Sequence, residues 1–174
     1  MRTRPFGQAN LGLAIALNLA FGAALAAADT SVQRTGQPDV YLLAADDAAM
    51  IAATAAARGS IDQFVAAFAR PGARQHSFAV KLPIIDGTLV EEFWLDVDSF
   101  ENGQFRGRIA NEPYQVHNVH LGDPVVADKE RISDWMYVDS GHLVGGYTIR
   151  ALRERMSAEE RKAFDAALPF AITD

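Results

Sequence analysis

The chain has no cysteine. That excludes a disulfide, a thiolate nucleophile, a thiolate-ligated metal and lipid attachment through an N-terminal cysteine, so the fold must stand on packing alone. There is no surplus of positive charge either: 16 basic residues face 22 acidic ones, a formal charge of −6. This argues against a nucleic-acid or anionic-membrane binder and reads as a solubility feature. Internal repeats are absent. So is Gly-x-Ser-x-Gly, the strained turn of a serine hydrolase, and no lysine follows Gly145-Gly146 in the P-loop pattern.

What is present first is an export pattern. Arg2 and Arg4 precede an almost wholly apolar Leu11–Leu25, which ends in the small residues Ala26-Ala27-Ala28. A positive start, an apolar run and a small-residue end describe a signal peptide over residues 1–28, cut near Ala26 or Ala28. The run is marginal for a membrane span and no stop-transfer pattern follows, so the expected product is periplasmic or secreted with no stable membrane anchor. Cleavage would remove two arginines and no acid, leaving 146 residues at a formal charge of −8. That is one domain's worth of chain. Residues 29–37 read as a polar linker and residues 38–170 as a single domain.

The periodicity then predicts elements. Asp39–Leu43 reads as a brief strand, and Asp46 or Asp47 caps an alanine-rich helix running to about Arg58. Gly59 is expected to end it, with Ser60 and Gln63 opening a second helix along the stripe Ile61, Phe64, Val65, Phe68. After Pro71-Gly72 the period falls to two: Phe78, Val80, Leu82, then Phe93, Leu95, Val97, then Phe105, Gly107, Ile109, each alternating with polar residues. This is the pattern of an antiparallel sheet covered on one side. Asn102-Gly103 supplies a tight hairpin, Val125–Ala127 a short strand, and Ile132–Val138 a central one. A helical period returns after Gly145-Gly146, with Arg150 and Glu154 placed to pair, and Ser157 with Glu160 forms a capping box for a last helix. The fold expected is α+β: N-terminal and C-terminal helices packed on a mostly antiparallel sheet, with curling into a small barrel left open.

Several segments carry a resemblance. Phe78-Ala79-Val80-Lys81, Glu92-Phe93-Trp94-Leu95, Gly107–Pro113, Gly122-Asp123, Ile132–Tyr137 and Gly145–Arg150 follow in an order that resembles the YegJ-like bacterial domain-of-unknown-function family, over about residues 38–152. The resemblance implies a fold unit of a bacterial host and no activity, since the family has none established. Related-looking segments occur in small proteins associated with toxin immunity, which is likeness of pattern alone.

Chemistry is sparse. His117 and His120 are the one close histidine pair, without a nearby Glu or Cys to complete a zinc set, so no metal and no cofactor is expected. Asp139-Ser140-Gly141-His142 reads as a polar turn. Glu91, Glu92, Asp96 and Asp98 read as a wet sheet face, and Gly145-Gly146 as a tight turn that brings a helix close to the sheet. No catalytic residue is assigned. The candidate binding set is Trp94, Arg106, Arg108, Asp134, Trp135, Tyr137, Gly145, Gly146, Tyr147 and Arg150, an aromatic and cationic patch opposite the aliphatic stripes. The competing arrangement makes Asp134 an internal acceptor fixing the Gly145-Gly146 turn, with both tryptophans in the core. The function expected is a non-catalytic interaction or ligand-binding module with a protein or small-molecule partner in the cell envelope. The alternatives are a small hydrolase built from fold-assembled His and carboxylates, and an immunity-like protein binding a toxin.

Overall fold

A computed structural model describes residues 47–173 in full; before Asp47 it places only the backbone of three short strands, β1 (Ala16–Leu19), β2 (Thr30–Arg34) and β3 (Gln37–Leu43). The expected Asp39–Leu43 strand falls within β3. The leader and its cleavage site lie outside the described residues.

One helix, not two, follows. Helix α1 runs unbroken over Ala48–Ala69, with the Asp47 side chain accepting from the Met50 N–H at its start. Gly59 costs only about 1 kcal/mol against alanine inside a helix, and its neighbours are strong helix formers. Ser60 does not cap a new start. Its hydroxyl lies within hydrogen-bonding distance of the Ala56 and Ala57 carbonyls one turn back (2.8 and 3.2 Å), so it sits inside a continuing helix.

Six antiparallel strands come next: β4 (Gln75–Asp86), β5 (Leu89–Glu101), β6 (Gln104–Ile109), β7 (Pro124–Asp128), β8 (Asp134–Asp139) and β9 (His142–Gly145). Their order is β7-β6-β5-β4-β8-β9, and β7 and β9 do not pair, so the sheet is open and no barrel closes. The Asn102-Gly103 turn has φ of 52° and 79°, the left-handed pair that a two-residue hairpin needs. Helices α2 (Tyr147–Arg155) and α3 (Ala158–Ala167) complete the fold. The Ser157–Glu160 capping box forms at the start of α3.

Register decides what each face buries. Val80 pairs with Leu95 on one side and Trp135 on the other; Lys81 pairs with Trp94 and Asp134. The first face, carrying Val80, Leu82, Leu95, Phe105 and Trp135, packs under Ala57, Ile61 and Phe64 of α1. The opposite face, carrying Ala79, Trp94 and Met136, packs with Ile149 of α2, with Phe170, and with the half-buried Phe164 and Leu168. The sheet is therefore covered on both faces. The expectation of one wet face does not hold where the C-terminal segment lies over it.

Candidate functional site

The centre of the second face is polar. Lys81 (2 % exposed), Asp134 (0 %) and Glu92 (6 %) are all buried there, each on a different strand. Asp134 sits beneath the start of α2. Its carboxylate accepts from the N–H groups of Trp135 (2.8 Å), Tyr147 (3.1 Å) and Thr148 (2.7 Å), and from the Thr148 hydroxyl (2.6 Å). An acid placed there satisfies N–H groups that the first helical turn cannot use and faces the positive end of the helix dipole. The Lys81 ammonium donates to Thr148 Oγ1 (3.3 Å) and lies 5.6 Å from the centre of the Trp94 ring.

Burial dominates the titration of all three groups. It pushes Asp134 up against the pull of its hydrogen bonds and of Lys81, pushes Glu92 up against the pull of Lys81, Ser133 and Arg58, and pushes Lys81 down against the pull of both acids. For the two carboxylates the sign is fixed. The native state holds these protons more tightly than the unfolded chain, so their contribution to stability falls as pH rises from the ordinary carboxylate range towards their raised native values.

Glu92 differs from Asp134 because it reaches a surface. Its Oε2 accepts from the Ser133 hydroxyl (2.5 Å), while Oε1 accepts no hydrogen bond from a described residue. An open cleft of about 320 Å³ begins there, lined among the described residues by Glu92, Ser133, Met50, Ile51, Thr54, Ala55 and Arg58. The α1 members recur at helical spacing on one side of the helix. The large residues of α1 that pack into the sheet core, Ile61 and Phe64, come later in the helix. Arg58 Nε donates to the Ile132 carbonyl (2.8 Å), which fixes the guanidinium. Its Nη groups donate to no described residue, and although its charge is felt by Glu92, no ion pair joins the two.

The residues expected to form a patch do not assemble. Trp94 and Trp135 are each 1 % exposed and lie on opposite faces of the sheet. Trp135 and Tyr137 join an aromatic cluster beneath α1: Trp135 packs against Phe64 and Tyr147, and Tyr137 stacks on Phe78 at 4.9 Å. Burial and nearby Asp139 raise the Tyr137 phenol. Trp94 lines the second core, its buried indole N–H without an acceptor among the described residues. Arg106 and Arg108 stand exposed on β6; Arg108 donates to the Gly122 carbonyl (3.1 Å). Arg150 does not pair with Glu154. It donates to the carbonyls of Gly145, Leu143 and Thr173 (2.9, 2.9 and 2.6 Å), clamping the chain end to β9. Asp134, Trp135, Gly145, Gly146, Tyr147 and Arg150 do come together, at the β8–α2 junction and not as an exposed patch. The Gly146 N–H donates to the Trp135 carbonyl (2.8 Å), and a Cβ on Gly145 would lie 2.4 Å from that same oxygen.

Other candidates resolve into structure. Glu91 is wholly buried and accepts from the N–H groups of Tyr114, Gln115 and Val116, pinning the loop after β6. With Glu92 also buried, these two acids are not part of a wet face. His117 and His120 are not buried and do not line the cleft. Among the described residues no cluster of His, Asp or Glu could hold a metal ion. Asp139–His142 is the polar hairpin turn between β8 and β9, with Ser140 and Gly141 at positive φ.

The period-two reading missed Lys81 and the separate fate of Glu92, because the pattern that marks a polar face also marks a polar interior. The one signal available was Lys81, the lone charge in the otherwise apolar run Phe78–Ile85.

A family model for an uncharacterized protein conserved in bacteria (DUF2314) matches residues 47–171. The match runs through α3, beyond the residue 152 to which the motif resemblance reached. The chain is 40 % identical over 123 residues, 71 % of its length, to the uncharacterized protein YegJ of Escherichia coli, of which that covers 79 %. It is 40 % identical over 92 residues, 51 % of its length, to a putative ankyrin repeat protein of Neisseria meningitidis, of which that covers 36 %. No solved structure matches. With a model spanning α1 to the end of the sheet and beyond, and a relative covered over most of its length, the chain belongs to the family of uncharacterized bacterial proteins DUF2314.

Proposed function

We propose that this chain is an exported, non-catalytic binding module of the bacterial envelope, taking a small-molecule ligand in the cleft between α1 and the sheet. One observation carries the binding site: a buried glutamate lines the cleft together with an arginine to which it is not paired, and among the described residues its second oxygen and the arginine's Nη groups have no hydrogen-bond partner. A pocket with a few convergent polar groups on an otherwise apolar lining is the usual form of a ligand site. The relative from Neisseria meningitidis supports the modular reading, since the matched segment there is a minor part of a longer chain. The hydrolase alternative loses its support, because no histidine lines the cleft beside Glu92.

Two measurements test this. Amide NMR spectra of the protein, recorded with a panel of sugars, polyamines, nucleotides and amino acids, should show shifts at Met50, Ile51, Thr54 and Ala55 for at least one class. Shifts elsewhere, or none, would overturn the cleft. The export part rests on Arg2, Arg4 and the apolar Leu11–Leu25. N-terminal sequencing of the protein recovered from cells should begin near Ala27 or Asp29, and an intact Met1 on cytosolic material would end it.

A further inference from the structure

We propose that the ligand of this cleft is a free α-amino acid with an apolar side chain; the proposal rests on the binding reading above and gives it a chemical class. The argument begins from charge. Glu92 and Arg58 sit at one cleft, opposite in sign, without an ion pair between them. Ser133 holds one Glu92 oxygen and the Ile132 carbonyl holds Arg58 Nε, so neither group is free to swing over to the other. A ligand that satisfies both must present a cationic donor to Glu92 Oε1 and an acceptor to the Arg58 Nη groups. An ammonium and a carboxylate on one carbon do this, the carboxylate matching the planar fork of a guanidinium.

Other classes leave a charge unanswered. A phosphate or other simple anion would suit Arg58 and be repelled by Glu92. A polyamine would suit Glu92 and be repelled by Arg58. A neutral sugar would bury the Glu92 oxygen further and add no counter-charge to those of Lys81 and Arg58, at a desolvation cost it does not recover. Among the described residues the remaining wall is Met50, Ile51, Thr54 and Ala55, which favours an aliphatic or thioether side chain. A volume of about 320 Å³ is at the small end of ligand pockets, in keeping with a ligand of amino-acid size.

The test is calorimetric titration of the full-length chain with L-methionine, N-acetyl-L-methionine and L-methioninamide. The acetylated form has lost the cation and the amide the anion. Each should bind at least about tenfold more weakly than the parent, the loss expected for a charge-assisted hydrogen bond. The pattern should then invert by residue: Glu92→Gln should erase the penalty for acetylation, and Arg58→Ala the penalty for the amide. Because Glu92 is buried, a second variant guards against misfolding. Ala55→Trp, at an exposed position of α1, fills the cleft from outside and should abolish binding while the thermal midpoint stays within a few degrees. Derivatives that bind as well as methionine, or binding unchanged in Ala55→Trp, would overturn the proposal. If no amino acid binds while the NMR panel places another class at the cleft, the amino-acid class falls and the binding module stands. If nothing maps to the cleft, both fall.

Discussion

Replacing Asp134 with alanine should cost on the order of 3–5 kcal/mol of unfolding free energy, the range seen when one member of a buried charged network is removed. Three losses coincide. The N–H groups of Tyr147 and Thr148 at the start of α2 lose their acceptor, and a buried donor left unpaired costs about 1–3 kcal/mol. The Thr148 hydroxyl, which accepts from Lys81, loses the partner that orients it. Lys81 itself keeps only Glu92 as a nearby counter-charge in a fully buried position. Urea denaturation at neutral pH measures the cost. A loss below about 1 kcal/mol would mean that Asp134 does not organise the β8–α2 junction. Lys81→Met added to Asp134→Ala should recover part of the loss, because a buried charge is dearer without its partner than an apolar side chain of similar volume. If the double variant is less stable than the single, Lys81 is held by something other than this acid.

Much of the fold can be read from local chemistry, and the part that cannot is the part set by pairing between strands. Asn102-Gly103, the Asp47 cap and the Ser157–Glu160 box each state their geometry within four residues, and each forms as expected. Gly59-Ser60 states a helix break equally clearly and none occurs. The cost of a glycine inside a helix is small beside the burial of Ile61 and Phe64 on the same continuous rod. Faces are a different matter. The aliphatic residues of β5 and β8 look alike in sequence and invite the same orientation. The observed register sets Trp135 beside Val80, on the face that also carries Leu95, so the aliphatic residues of β8, Met136 and Val138, point the other way, towards Trp94. No residue in either strand encodes that pairing on its own, and a one-residue slip exchanges every side chain between faces. For the same reason Lys81 and Glu92 read as solvent-facing. They become interior through distant parts of the chain, Lys81 beneath Thr148 of α2 and Glu92 against Ser133 and the cleft side of α1.

Trp135→Ala is the sharpest test of this arrangement and should cost about 3–5 kcal/mol, the range for removing a large buried aromatic. The indole contacts Phe64, Tyr137 and Tyr147, and its Nε1 lies within reach of the Ala57 carbonyl (2.9 Å) and Ser60 Oγ (3.2 Å) on α1. Its ring edge also fills the space over Gly145 where a Cβ would otherwise stand. Truncation therefore opens a cavity between α1 and the sheet, removes the side-chain hydrogen bonds that tie the middle of α1 down, and loosens the turn into α2. Trp135 does not line the cleft, so ligand capture should fall only as far as the folded fraction falls. Both quantities can be read on one sample, unfolding by denaturant and capture by titration below the transition. A change under about 1 kcal/mol together with complete loss of capture would place Trp135 on a working surface and remove it from the core. Full loss of stability with capture intact in the remaining folded protein fixes it as the hinge of the packing. The cleft, lined by Glu92 of β5 and by Arg58 on the flank of α1, then depends on Trp135 only through the position of the helix.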